Sequence, residues 1–228
     1  MYGSEEGETI GTFVAGAGDV DGDSVPDLLI SALGFETIDS IPLNEGRVYL
    51  VHGPVTGRHS LADADAIIQG AQPGDSIGSD VTGLGDVNAD GFADFGFAGI
   101  TDEVVSEAYL YYGPVSGFHL ITDADATFIP QESDDLGVKV VSAGDLDADG
   151  LDDLMVTSDH QQGLEQHSGV VSIFYGPVAG VRPTTEADAW LHGDRVEDGV
   201  GAVADRADDL NGDGYGDLVV GNRGYRPT

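Results

Sequence analysis

Four nine-residue segments in this chain carry oxygen-bearing side chains at spacings that suit the binding of a hard cation. They are Asp19-Val-Asp21-Gly-Asp23-Ser-Val25-Pro-Asp27 and Asp86-Val-Asn88-Ala-Asp90-Gly-Phe92-Ala-Asp94. The others are Asp145-Leu-Asp147-Ala-Asp149-Gly-Leu151-Asp-Asp153 and Asp209-Leu-Asn211-Gly-Asp213-Gly-Tyr215-Gly-Asp217. Positions 1, 3, 5 and 9 offer carboxylates or amides, position 6 is a turn residue, and the backbone carbonyl of position 7 (Val25, Phe92, Leu151, Tyr215) adds a further oxygen. Ca²⁺ takes six to eight oxygens at about 2.3–2.6 Å in flexible geometry and accepts both side-chain and backbone donors. The spacing therefore predicts up to four calcium loops.

A helix-flanked calcium loop would open in the same way but close on a bidentate Glu at position 12. Here position 12 is Ile30, Phe97, Val156 or Val220, all apolar. The flanking residues form short apolar runs rich in Gly and Val without a 3.6-residue period, which points to strands on either side. Position 9 supplies the last acid instead.

The elements that must hold these loops repeat with them. The first Asp residues are 67, 59 and 64 residues apart. Eight residues before each stands an apolar-Gly pair: Ile10-Gly11, Ile77-Gly78, Leu136-Gly137 and Val200-Gly201. After each loop comes an apolar run (28–30, 95–97, 154–156, 218–220). In three copies a second run follows, ending in Gly-Pro at Pro54, Pro114 and Pro177. A further run follows Ala-Asp-Ala at 67–68, 127–129 and 190–191. Four strand candidates per repeat of about 60 residues are the pattern of a β-propeller, one blade per repeat. The repeats cover roughly 10–70, 77–130, 136–193 and 200–228, the last incomplete.

The apolar-Gly pairs, the Gly-Asp-x-[Asp/Asn]-x-Asp loops and the strand after each loop resemble the FG-GAP repeats of the integrin α-subunit propeller and of bacterial secreted proteins. The resemblance spans nearly the whole chain. It implies an all-β propeller of four-stranded antiparallel blades, usually seven, with Ca²⁺ in the loop joining the first two strands. It implies no single activity, since the fold serves adhesion, enzymes and scaffolds. Residues 1–3 align with 68–70, so the chain is expected to begin inside an outer strand and to end halfway through a fourth blade. Three and a half blades form an open arc, whose edges invite either missing blades of a parent chain or self-association.

Composition narrows the partners. There are 42 acidic and 8 basic residues, a formal charge of −34, and 14 of the acids are the proposed ligands. Even four bound Ca²⁺ would leave the surface strongly acidic, which argues against nucleic acid or anionic membrane as partner. There is no Cys and therefore no disulfide framework, and no apolar run has the length of a membrane span. Acidic loops of this kind suit calcium-rich surroundings, so an extracellular or cell-surface location is expected, with no signal peptide in this chain.

Strand alternation puts the calcium loops and the Gly-Pro turns (53–57, 113–117, 176–180) on one face. The loops joining strands two and three (34–46, 99–106, 158–168) and the inter-blade loops (70–76, 130–135, 193–199) share the other. The second set varies between repeats, and variation on a repeated scaffold marks a recognition surface. A protein or polysaccharide ligand is expected there. His52 occupies a position held elsewhere by Tyr112 and Tyr175 and reads as a packing residue; His160 and His167, near Asp159 and Glu165, are a weaker transition-metal candidate. The acids Asp63 and Asp65, Asp123 and Asp125, and Glu186 and Asp188 recur before the outer strand and read as charged protection of its edge. No nucleophile elbow, zinc-protease motif or phosphate loop is present. The residues favour a non-catalytic, calcium-binding recognition or adhesion module, the alternative being the accessory or catalytic propeller of a secreted polysaccharide lyase or hydrolase.

Overall fold

The computed structural model describes residues 8–34, 36–38, 41–43, 45–101, 105–130, 138–159 and 168–224. They contain eighteen strands and no α-helix. The strands are β1 (Glu8–Gly18), β2 (Asp27–Gly34), β3 (Glu36–Ile38), β4 (Ile41–Leu43), β5 (Arg47–Val51), β6 (Ala66–Gln69), β7 (Ser76–Gly85), β8 (Asp94–Thr101) and β9 (Val105–Tyr111). They continue with β10 (Gly117–Leu120), β11 (Ala126–Ile129), β12 (Lys139–Gly144), β13 (Asp153–Ser158), β14 (Val170–Phe174), β15 (Gly180–Pro183), β16 (Ala189–His192), β17 (Val200–Arg206) and β18 (Leu218–Asn222).

Antiparallel pairing groups them into propeller-like blades: β1-β2-β5-β6, then β7-β8-β9-β11, then β12-β13-β14-β16, and finally β17-β18. The second strands β8 and β13 are buried over nearly their whole length, because a neighbouring sheet covers each face. Their continuous apolar runs follow from that double coverage. The fourth strands β6 and β11 alternate buried and half-buried residues, as a strand with one wet face should.

The cores lie between adjacent blades. One unites Leu29, Val48, Leu50 and Ile68 of the first blade with Ile77, Phe95, Phe97 and Tyr111 of the second. The next joins Leu110 and Phe128 to Val140, Leu154 and Phe174 of the third. Phe95 stacks on Tyr111 with centroids 5.6 Å apart and planes within 8°, and Phe128 meets Phe174 at 4.9 Å. Each such pair adds about 0.5–1.5 kcal/mol beyond the area it buries.

The recurring apolar-Gly pair has a local cause. Gly11, Gly78 and Gly201 have φ of 76°, 87° and 89°, and each sits where the first strand slips register against the second. A bulge with one left-handed residue needs glycine.

Four strands depart from the expected four per blade: β3 and β4, within the stretch read as a loop, pair only with each other, and β10 and β15 extend neighbouring blades. The residues after Gly113-Pro114 and Gly176-Pro177, read from sequence as turns, go on to form β10 and β15. β10 pairs in parallel with β6 of the preceding blade, Gly117 opposite Ala66, and β15 with β11, Gly180 opposite Ala126. The first and second blades thus each end in a fifth strand lent by the next blade. The strand is short and half exposed, so it carries no period for a sequence pattern to catch. At β6 and β11 the preceding acidic pairs accordingly do not protect an open edge. Asp65, Asp125 and Asp188 each accept one backbone N–H, from His52, Tyr112 and Tyr175, at 2.8, 2.8 and 3.0 Å. Asp123 likewise accepts from Leu120 N–H at 2.9 Å. The invariant 13-residue separation within the first three pairs was the signal for this role.

Candidate metal centre

Each nine-residue loop is shaped by its own carboxylates before any cation is considered. In the first, Asp19 Oδ1 accepts from Gly22 N–H at 2.9 Å and Oδ2 from Ser24 N–H at 2.9 Å. Asp21 accepts from Asp23 N–H at 3.1 Å and Asp23 from Val25 N–H at 2.8 Å. The third repeats the frame: Asp145 accepts from Asp149 and Gly150, Asp147 from Asp149, and Asp149 from Leu151. So do the second, through Asp86, Asn88 and Asp90 with Phe92 N–H, and the fourth, through Asp209, Asn211 and Asp213 with Tyr215 N–H. Short polar side chains turning back onto nearby amides are the usual way such residues fold a loop locally.

The outcome is convergence of hard oxygen donors. Carboxylate oxygens of Asp19, Asp21 and Asp27 lie within 4.8 Å of one another, and so do those of Asp145, Asp147 and Asp149. Either cluster could hold a metal ion; with no thiol in the chain, the donor set suits a hard cation. The second and fourth loops have Asn88 and Asn211 at position 3 and so carry one carboxylate fewer. Asn88 Nδ2 donates to Asp90 Oδ2 at 2.9 Å. His52 Nδ1 stands 3.2 Å from Asp21 and 3.7 Å from Asp65, so it rests against the first loop and is not merely strand packing. His160 and His167 lie outside the described residues.

Position 9 has a second duty. Asp27, Asp94 and Asp153 are almost wholly buried, and each accepts two backbone N–H groups. One comes from position 2 of its own loop: Val20, Val87 and Leu146, at 2.8, 2.7 and 2.7 Å. The other comes from the glycine of Gly-Pro: Gly53, Gly113 and Gly176, each at 2.9 Å. Burial pushes the Asp94 carboxyl up to about 7, the charges of Asp90 and Asp86 adding to the rise against the pull of the two amides. Burial likewise lifts Asp153 to about 6, with Asp147 and Asp149 contributing. Asp209, exposed in the fourth loop, moves the other way because Gly214 N–H and its neighbours stabilise the anion. A bound cation would offset the carboxylate repulsion at each of these loops.

Consecutive loops are also tied to each other. The carbonyl of the first Asp accepts the N–H of position 8 in the next loop: Asp19 from Ala93 at 2.9 Å, Asp86 from Asp152 at 3.1 Å, and Asp145 from Gly216 at 3.0 Å. The Asp152 side chain returns a bond by accepting from Asp86 N–H at 3.0 Å. Side-chain spacing gave no hint of this chain of loops, because the bonds are between backbone groups some 70 residues apart.

Two left-handed positions occur in every loop. Position 4 is Gly22, Ala89, Ala148 or Gly212, with φ of 81°, 62°, 63° and 77°; position 6 is Ser24, Gly91, Gly150 or Gly214, with φ of 70°, 90°, 93° and 93°. Immediately before the loops Gly18, Gly85 and Gly144 are left-handed, and Asp208 holds the same conformation at φ 46°.

Two of the inter-blade loops are less variable than their sequences suggest. Asp75 accepts from Ala71 and Gln72 N–H, each at 2.9 Å, and Asp198 accepts from Arg195 N–H at 3.1 Å; both acids are buried. The same Asp-closed turn is built twice; residues 131–135 of the remaining inter-blade loop lie outside the described residues.

No family model matches the chain. Curated relatives are similar over part of it. The chain is 30% identical to phosphatidylinositol-glycan-specific phospholipase D of Bos taurus over 168 residues, 69% of this chain and 19% of that protein. It is 28% identical to the proteins of the same name from Rattus norvegicus and Mus musculus, in each case over 72% of this chain and 20% of theirs. The chain therefore matches only about a fifth of the length of these relatives.

Proposed function

We propose that this chain is a calcium-stabilised, non-catalytic recognition module of the FG-GAP type, belonging to a secreted or cell-surface protein. The observation that carries the reading is the loop frame built four times over, with carboxylates gathered within 4.8 Å at two of the copies. Asp19, Asp21, Asp23 and Asp27 would hold one Ca²⁺ and Asp145, Asp147, Asp149 and Asp153 another, with the Asn-bearing loops as weaker companions. The cation would supply charge neutralisation. The chain's own groups do the rest: backbone amides aim each carboxylate, and position 9 fastens the loop to the Gly-Pro segment of its blade. Neutralising repulsion that opposes the compact state makes cation binding a folding term.

A protein or polysaccharide ligand is assigned to the face opposite the calcium loops, where the strand two–three connections differ most. Calorimetric titration of Ca²⁺ into chelator-stripped protein tests the metal reading; absence of any heat of binding at millimolar cation refutes it. A second reading draws on the relatives named as phospholipases: a non-catalytic module carried beside the catalytic part of a hydrolase. Assay of the isolated chain on a glycosyl-phosphatidylinositol substrate should show no cleavage, and turnover would refute both readings.

A further inference from the structure

The chain has four asparagines, and only Asn211 is followed by glycine; Asn44, Asn88 and Asn222 precede Glu, Ala and Arg. An asparagine side chain can be attacked at its amide carbon by the backbone nitrogen of the next residue, closing a cyclic imide. The approach is least hindered where that residue has no Cβ. Two further conditions favour the step. The attacking nitrogen must be activated, and charge developing on the amide oxygen must meet a donor.

The fourth loop supplies both. Gly212 N–H donates to Asp209 Oδ1 at 2.6 Å, a short charge-assisted bond that lends anionic character to the attacking nitrogen. Asn211 Oδ1 accepts from Asp213 N–H at 2.8 Å. That bond folds the side chain back along its own backbone, and its donor is in place for an oxyanion on the same oxygen. These contacts belong to the loop frame itself, for Gly22 N–H meets Asp19 Oδ1 in the same way at 2.9 Å in the first loop. The second loop is the internal contrast. Asn88 accepts from Asp90 N–H at 2.9 Å, but Ala89 follows it, and its Nδ2 is held by Asp90 Oδ2 at 2.9 Å.

We propose that Asn211-Gly212 is a self-modification site, at which Asn211 deamidates through a succinimide and the loop frame promotes the reaction. The Gly212 nitrogen bonds to the Asn211 amide carbon while its proton passes by way of Asp209 to water. The bond from that carbon to Nδ2 breaks, and the nitrogen leaves as ammonia with a proton drawn from water. Water then opens the imide. The sum consumes one water and releases one ammonia, with no oxidant or reductant. Opening at one carbonyl leaves aspartate, the residue that Asp21 and Asp147 provide at the same loop position. Opening at the other leaves isoaspartate, which lengthens the backbone. Where the loop takes calcium, as proposed above, the first product adds a carboxylate at position 3 and the second breaks the ligand frame. Deamidation itself needs no cation.

The test follows the full 228-residue chain in neutral buffer with EDTA, digested at intervals and mapped by mass spectrometry, with an isoaspartate-specific methyltransferase labelling the second product. Conversion is expected at Asn211 and, over the same period, not at Asn88. It should run faster in the folded chain than in a synthetic peptide of residues 205–219, which has the same sequence without the frame. Gly212→Ala should slow it by roughly tenfold. That variant keeps the fold, since Ala89 and Ala148 hold the same position at φ 62° and 63°. Asp209→Asn keeps an acceptor oxygen but removes the charge; it should slow conversion in the chain and leave the peptide's rate unchanged. A rate in the chain equal to or below that of the peptide would overturn the proposal, as would a rate indifferent to Asp209→Asn. Failure of the loop to bind calcium would not alter any of these readings, so the two proposals fail separately.

Discussion

Asp94 accepts the backbone N–H of Gly113 at 2.9 Å while its other oxygen accepts that of Val87 at 2.7 Å. One fully buried carboxylate thus binds the proposed cation loop, the strand that follows it and the Gly-Pro segment of the same blade. Position 9 consequently differs from positions 1, 3 and 5, which are exposed or half-exposed and whose side chains accept backbone N–H groups only from within the loop.

That difference separates two kinds of variant. Asp94→Ala leaves two amides without their acceptor, at a cost of about 1–3 kcal/mol each where water cannot replace it. Destabilisation should appear with or without calcium. Asp90→Ala should lower stability chiefly in calcium and little in chelator. Thermal melts of both variants under both conditions decide it; identical behaviour of the two would show that Asp94 is not a structural staple.

Removal of the cation should itself destabilise the chain. At a free concentration about a hundred times its Kd, a ligand bound only to the native state adds about 2.7 kcal/mol per independent site. Melting temperatures in Ca²⁺ and in excess EDTA should differ by many degrees. Superimposable melts would remove calcium from the account of this fold.

The loops should bind unequally, and not independently. Those with four acids, at Asp19–Asp27 and Asp145–Asp153, are expected to fill before those with Asn88 and Asn211. Asn88→Asp should tighten the second loop. The bonds from Ala93 to Asp19 and from Asp152 to Asp86 join adjacent loops, so filling one should order the next. Calorimetry giving four identical, independent sites would contradict both statements.

Backbone handedness predicts opposite signs at equivalent positions. Ser24, at φ 70°, is left-handed where the other three loops have glycine. Such a conformation costs a non-glycine residue about 1–2 kcal/mol, so Ser24→Gly should stabilise the chain by about 1 kcal/mol and tighten the first loop. Asp208→Gly should act likewise by less, since Asp tolerates this region better. At Gly91 an added Cβ would meet nothing within 4 Å, so Gly91→Ala isolates the backbone term and should destabilise. A Ser24→Gly variant less stable than the parent would refute the argument.

The pair β17 and β18 should exchange faster than the strands between blades. β17 and β18 form a two-stranded sheet with Val203 and Val219 more than half exposed. Two strands alone hold together weakly in water. In calcium, amides of 200–206 and 218–222 should exchange far faster than those of β8 and β13. Equal protection would refute this reading of the two-stranded sheet.

Much of this was written in the order of side chains. Asp19, Asp21, Asp23 and Asp27 and their three recurrences mark the loops because the groups that fold a short turn lie within it. The strands around them show as Leu28–Ile30 or Leu154–Val156 because burial on both faces demands unbroken apolar runs. What the sequence alone could not reveal was which distant groups meet. β10 is Gly117-Phe-His-Leu, half exposed and without period, and its partner β6 lies some fifty residues earlier. The bond from Gly113 to Asp94 and that from Ala93 to Asp19 are made by backbone amides, which every residue but proline possesses. Local chemistry determined the loops and the blades; only the packing of one blade on the next decided that position 9 is a staple, that β6 and β11 are capped by strands of the following blade, and that the loops form one connected series.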